Sequence, residues 1–385
     1  MPPGGYDRIM PLDPFFADRL RSDRRHWFRQ ATQRLKSRLG WPWFMRPAAD
    51  EGVRSATSAE KDRARRGARE DTRDAIRAHE PHPSQKRAVH RRQARAWDRK
   101  ELARSGTPGP KVRAEEHVVP VDGYPDVRVR VYYPADAWDI AAEGPIPACL
   151  MFFGGAFRIG GIDYATTDAA NRRRAADARV AIVAVDYALA PEHKFPTPVE
   201  QGVAALRWLF DRATALGIDR ERIAVGGTSA GGNIAAAVAL ANRDRDGLPI
   251  RLQLLEVPVV DLTGRHIDFA ASRALGIPMP IMARELISVS RTYLPHRRDA
   301  KNPLASPILA ASLAGLPPAA IFTAEYDPLR GEGAAYAAAL RAAGVEATAV
   351  QYQGMVHDGA IYTAVVPTAR RWQADVVTAL RSLHA

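Results

Sequence analysis

Two hydrophobic periods alternate along most of this chain. From residue 116 onward, short apolar runs are separated by stretches whose apolar positions recur every three or four residues. DVRVRVYY (126–133) alternates, as a strand with one exposed face does. PACLMFF (147–153) and VAIVAVDY (180–187) are continuous enough to be buried on both faces. IAVGG (223–227), LQLLEVPVV (252–260), PAAIFTA (318–324) and VEATAVQY (345–352) add further strands. Helical patterns fill the gaps, near 165–178, 198–216, 234–243 and 331–343, and a last helix closes the chain. Buried strands joined by helices predict an α/β fold with a mostly parallel central sheet flanked by helices. No internal repeat at solenoid spacing is present.

The N-terminal third reads differently. Phe16, Leu20, Trp27, Ala31, Leu35 and Leu39 recur in steps of four and seven, which suits one face of an amphipathic helix within 12–45. The aromatic tail WPWFM (41–45) ends that helix at Pro42. Across 51–110 only Val53, Ile76, Val89, Trp97 and Leu102 are large and apolar, too few to bury a core. This stretch is either disordered or a loosely docked helical arm, and SGTPGPK (105–111) reads as a linker. The expected division is therefore an N-terminal helical cap and basic arm, 1–110, and a folded domain, 111–385.

Charge sharpens that division. The chain of 385 residues carries a formal net charge of +12. Residues 1–110 hold 26 Lys and Arg against 14 Asp and Glu, so the whole excess lies there and 111–385 is neutral. A single cysteine, Cys149, excludes an internal disulfide framework and suits a reducing compartment. MPPGGYDRIM lacks an apolar signal segment, and charged residues follow Arg24 and Arg25 where a twin-arginine signal needs apolar ones. No run is long enough to span a bilayer. A cytoplasmic protein is the expectation.

The chemistry concentrates in GTSAGGN (227–233). Ser229 lies between a strand and a helix with Gly227 and Gly231 on either side, the layout of a nucleophile elbow. The competing reading is a serine cap on an alanine-rich helix. A serine hydroxyl needs a base to take its proton. Four of the ten histidines follow the elbow, and of these only His357, in YQGMVHDGA, lies between the last strand and the last helix. A solvated loop histidine is the alternative. A buried carboxylate must then orient the imidazole. Asp327, in AEYDPLR (324–330), follows a strand and precedes a helix; it could instead cap that helix, and Asp358 is too close along the chain to face its neighbour's ring. The order Ser229, Asp327, His357 is that of α/β-hydrolases.

With these motifs, the chain resembles the hormone-sensitive-lipase-like, bacterial carboxylesterase branch of the α/β-hydrolases. DYALAPEHKFPTPVEQG (186–202) resembles that family's DYRLAPEHPFPAALED block, and LASPILAASLAGLPPAAIFTAEYDPLRGEG (304–333) its segment around the acid. The likeness runs from about 115 to 383. Thr228 departs from the family's Asp, Asp358 from a small residue, and Gly331 from a frequent acid. The resemblance places FFGGAF (152–157) at the family's HGGG loop, with Phe153 in place of the histidine and Ala156 in place of a glycine. Gly155, Ala156 and Ala230 are then the expected backbone donors to an oxyanion. The cost lies in conformation, because alanine resists the positive φ that glycine accepts. It also implies a cap over the site, from the N-terminal helices and an insertion at about 263–300, with Trp41, Trp43 and Phe44 either lining an acyl pocket or only packing the cap.

The resulting expectation is a serine hydrolase cleaving short- to medium-chain carboxylic esters through an acyl-enzyme, with a small-molecule ester as partner and neither cofactor nor metal. The alternative is a catalytically weakened member that binds a ligand. For the basic arm, interspersed acids and the lack of a recognised module argue against nucleic acid; a solvated lid segment and contact with an anionic membrane surface are the other readings. Oligomeric state is left open by the sequence.

Overall fold

The computed structural model describes residues 11–21, 83–134 and 144–385. The chain divides into one unit made of Met1–Phe16 and Ala94–Ala385 and another made of Ala17–Gln93; the fold below is that of the first. The amphipathic stretch 12–45 is helical over 14–21, and its remainder lies outside the described residues, as do Trp41, Trp43 and Phe44.

Eight strands form one sheet: β1 (Ala114–Val119), β2 (Val127–Tyr132), β3 (Ile146–Phe152), β4 (Ala181–Asp186), β5 (Ile218–Thr228), β6 (Ile250–Glu256), β7 (Ala319–Tyr326) and β8 (Ala347–Val356). Their spatial order is β1-β2-β4-β3-β5-β6-β7-β8. β2 pairs antiparallel with β1 and β4, and every pairing from β4 across to β8 is parallel. β3 and β7 are buried along their whole length, which is why they read as continuous apolar runs, whereas β2 alternates buried and half-buried positions.

Besides the helical stretch at 14–21, the α-helices among the described residues are α1 (Pro83–Ser105), α2 (Ala165–Ala178), α3 (Thr197–Arg212), α4 (Ala230–Arg245), α5 (Phe269–Ala274), α6 (Met279–Tyr293), α7 (Arg330–Ala342) and α8 (Pro367–Arg381). In α8 the buried Ala369, Trp372, Val376 and Leu380 recur at steps of three and four, one apolar stripe against the sheet. α4 is buried from Ala230 to Asn242, and its small side chains let it lie close beneath the strand ends. The insertion expected at 263–300 holds α5, α6 and a short 3₁₀ turn at Arg297–Lys301.

Boundaries differ from the sequence reading in places. β5 begins at Ile218, five residues ahead of the apolar core of that strand, and α3 ends at Arg212. Of the two readings of the arm, residues 83–105 take the helical one despite their few apolar side chains. Its inward face is polar, with Asp98 at 4% exposure and Glu101 at 6%. Asp98 accepts from both the Thr166 amide and the Thr166 hydroxyl at the start of α2. The following linker is tied down too, because Thr107 N–H donates to Thr363 Oγ1 at 2.9 Å. None of the helices in the described residues is long and apolar enough to cross a membrane.

Candidate active site

The chain reverses sharply between β5 and α4. Ser229 sits at φ 56°, ψ −114°, a conformation that L residues rarely adopt and that costs on the order of 1–3 kcal/mol. The flanking glycines are required by sterics: a Cβ on Gly227 would collide with the Gly231 carbonyl, and one on Gly231 with the Phe152 carbonyl of the neighbouring strand. The turn is pinned where Ser229 N–H donates to the Glu256 carbonyl at 2.8 Å.

β8 runs to Val356, so His357 is the first residue beyond the strand. Its Nε2 lies 2.9 Å from Ser229 Oγ and its Nδ1 2.7 Å from Asp327 Oδ2. Asp327 follows β7 and is 1% exposed; its other oxygen accepts the Leu329 N–H at 2.9 Å. That leaves Nε2 facing the serine hydroxyl. Burial disfavours the charged imidazolium, but the Asp327 carboxylate outweighs it, helped by Asp358 and Glu332, and the His357 pKa rises to about 9. Glu332, buried under the site, is pushed up to about 8 by burial, although it accepts the Val260 and Asp261 amides.

The loop after β3 brings the other expected groups to the same place. Gly154 lies against the elbow, where a Cβ would stand 3.1 Å from the Thr228 carbonyl. Gly155 has φ +135°, and its missing Cβ would collide with the Ile159 carbonyl. Ala156 and Phe157 then follow at φ 52° and 60°, so the alanine does enter the left-handed region. Among the described residues, the amides of Gly155, Ala156 and Ala230 donate to no protein acceptor. Two side chains hold the loop. The Tyr187 hydroxyl donates to the Phe153 carbonyl at 2.9 Å while its ring stacks on Phe153 at 4.1 Å, and Phe157 stacks on Tyr293 at 3.7 Å.

Sequence reasoning missed the polar cluster behind the elbow. Glu256, 1% exposed, takes Arg174 Nη2 at 2.6 Å, the Thr228 hydroxyl at 3.2 Å and Trp372 Nε1 at 3.0 Å. Here the carboxylate behind Ser229 comes from β6, and Thr228, standing where the family has an aspartate, is one of its hydrogen-bond donors. A lone acid inside LQLLEVPVV was the available signal. Two cavities open on Ser229 and His357. One, of about 390 Å³, runs past Phe153, Tyr164 and Arg174 to Trp97 and Leu102 of α1. The other, of about 520 Å³, lies under α6 and is walled by Leu262, Met282, Leu286 and Val289. Among the described residues no group of three or more His, Cys, Asp or Glu is arranged to hold a metal ion.

Comparison with known proteins agrees with this architecture. Residues 149–361 match the model of a family described by its α/β-hydrolase fold. Carboxylesterase NlhH of Mycobacterium tuberculosis is 40% identical over 283 residues, 72% of this chain and 85% of that protein. The arylesterase of Saccharolobus solfataricus is 36% identical over 250 residues, 64% of this chain and 74% of its own. Among solved structures, the thermostable carboxylesterase EstE1 from a metagenomic library superposes with a TM-score of 0.69 at 37% identity, covering 77% of this chain and 97% of that one. The Lake Arreo ester hydrolase EH1AB1, complexed with a bipyridine phosphonate derivative, gives 0.67 at 32% identity, covering 82% and 97%. The chain belongs to the hormone-sensitive-lipase-like, carboxylesterase branch of the α/β-hydrolase family.

Proposed function

We propose that this enzyme hydrolyses small carboxylic esters with Ser229 as nucleophile, His357 as proton shuttle and Asp327 as the group that orients the imidazole. The observation that carries the assignment is the continuous hydrogen-bonded line from Ser229 Oγ through His357 to buried Asp327, with the serine held in a strained turn. Ser229 Oγ attacks the ester carbonyl carbon as its proton passes to His357 Nε2. The carbonyl oxygen becomes an oxyanion, which the Gly155, Ala156 and Ala230 amides receive. Such a donor is worth on the order of 100- to 1000-fold in turnover. Collapse expels the alcohol, which takes the proton from Nε2. Water, deprotonated by the same nitrogen, attacks the acyl-enzyme and regenerates Ser229 with release of the acid.

No cofactor enters this sequence. The reading of the chain as a weakened ligand binder rested on the altered loop, and a loop whose amides stay free to donate gives it no support. Purified protein should hydrolyse p-nitrophenyl butyrate and be labelled by a fluorophosphonate, and Ser229→Ala should abolish both. Folded wild-type protein that is neither active nor labelled would overturn the assignment.

A further inference from the structure

Residues 94–105 of α1 divide charge between two faces. The acids of this stretch, Asp98 and Glu101, are buried. Its cations Arg95, Arg99, Lys100 and Arg104 are exposed. Arg95 lies 4.0 Å from Asp163, while Arg99, Lys100 and Arg104 have no carboxylate partner among the described residues. Trp97, Lys100 and Arg104 stand at i, i+3 and i+7, so they form one stripe along the helix. Trp97 is 45% exposed, yet it also lines the cavity that runs to Ser229. An indole flanked by unneutralised cations is the side-chain set that settles at a bilayer's headgroup level. The same helix lies in the segment, 1–110, that carries the chain's whole charge excess, while 111–385 is neutral.

We infer that the outward stripe of α1, formed by Trp97, Lys100 and Arg104, docks the enzyme on an anionic lipid surface with the mouth of its α1-side cavity turned toward the bilayer. Charge draws the helix to the surface, Trp97 inserts at the headgroup level, and an apolar ester dissolved in the lipid reaches Ser229 along the cavity that Trp97 and Leu102 line. The delivery step rests on the ester-hydrolase assignment; the docking step does not. Duplex nucleic acid would meet the cations equally well, but it gives no role to a half-exposed indole at the entrance of a hydrolase cavity.

The test is sedimentation of the full chain with vesicles of phosphatidylcholine alone and of phosphatidylcholine with one part in three phosphatidylglycerol, at low and half-molar salt. Binding to the anionic vesicles alone, lost at high salt, is expected. The double variant Lys100→Gln, Arg104→Gln should weaken partitioning about 25-fold, at roughly fivefold per cation. Its hydrolysis of soluble p-nitrophenyl acetate should stay unchanged, while hydrolysis of a long-chain p-nitrophenyl ester dissolved in the anionic vesicles falls. Equal binding to both vesicles, no binding, or binding of duplex DNA without binding of vesicles would overturn the inference. Inactivity on p-nitrophenyl acetate with intact vesicle binding would strike the esterase assignment alone.

Discussion

The nucleophile elbow and the loop after β3 lie side by side at the carboxyl ends of adjacent parallel strands, and both need backbone in sparsely populated conformations. They meet that need by different means. In the elbow the glycines are there because neighbouring backbone occupies the space a Cβ would take, at Gly227 and Gly231 alike. In the loop, Gly155 and Gly160 face such collisions, with the Ile159 and Gly154 carbonyls, but Ala156 and Phe157 carry left-handed φ with side chains in place. An L residue in that region costs roughly 1–2 kcal/mol. Burial of Phe157, its stack on Tyr293, and the Tyr187 hydroxyl on the Phe153 carbonyl offset the cost. Close packing therefore dictates the elbow's sequence, while the loop's can vary at 156 and 157 as long as its tethers hold.

The sharpest break of this comparison is Gly231→Ala. The added methyl meets the Phe152 carbonyl, so β3 and α4 must separate. Overpacking of this kind should cost about 3 kcal/mol or more, and fluorophosphonate labelling of Ser229 should disappear. A variant with wild-type thermal stability and labelling would show that the elbow's glycine is dispensable.

Next in size is Asp327→Asn, which acts through His357, the base proposed to serve both regions. By analogy with triads in which this change was made, turnover should fall about 10⁴-fold. The pH profile gives a second readout. A His357 pKa raised to about 9 means that kcat/KM in the wild type climbs with pH through that value, because only the neutral imidazole accepts the serine proton. The folded state holds this proton more tightly than the unfolded chain, so the stabilisation is fully present below the ordinary value of 6.5 and is lost as pH rises through about 9. Without the Asp327 charge, burial remains as the leading influence, and the inflection of the residual activity should move down. An unchanged inflection would mean that Asp327 does not set it.

How far each region could be read from the chain follows the same physics. Gly227, Ser229 and Gly231 were legible because a steric requirement leaves a local pattern, and the sheet was legible because strands buried on both faces must be apolar throughout. Phe153 and Ala156 were visible as departures from a family loop, but their meaning was not. Tyr187 lies 34 residues from Phe153, just beyond the neighbouring strand β4, and nothing local marks a hydroxyl that will bond a distant carbonyl. Arg174 is one of three consecutive arginines, and only the tertiary structure shows that it turns inward to Glu256, 82 residues away. In α1 the scarcity of large apolar residues left a disordered arm and a docked helix equally open, because the contact that docks the helix is polar, from Asp98 to the start of α2.

Tyr187→Phe isolates the tether. It keeps the ring stack on Phe153 and removes one buried hydrogen bond, which should cost about 1–2 kcal/mol of stability and leave the Phe153 carbonyl without that donor. Since this carbonyl precedes the amides proposed to hold the oxyanion, kcat should fall by about tenfold while KM barely moves. A larger KM effect with kcat intact would assign Tyr187 to substrate binding instead.

The smallest effect is expected from Ala156→Gly, and it separates strain from function. Glycine accepts φ 52° freely, so the folded state is relieved of about 1 kcal/mol. The unfolded chain also gains freedom worth about 0.4–1 kcal/mol, and the two nearly cancel. Thermal stability should therefore change little, and kcat should stay within about twofold because the amide at 156 remains in place. Adding Phe153→His exchanges the stack on Tyr187 for a side chain that can hydrogen-bond, and should raise kcat by no more than about tenfold, ~1.4 kcal/mol of barrier. If Ala156→Gly alone lowers kcat a hundredfold in a protein of unchanged stability, the alanine methyl is shaping the acyl site, and the loop's freedom to vary is narrower than its tethers suggest.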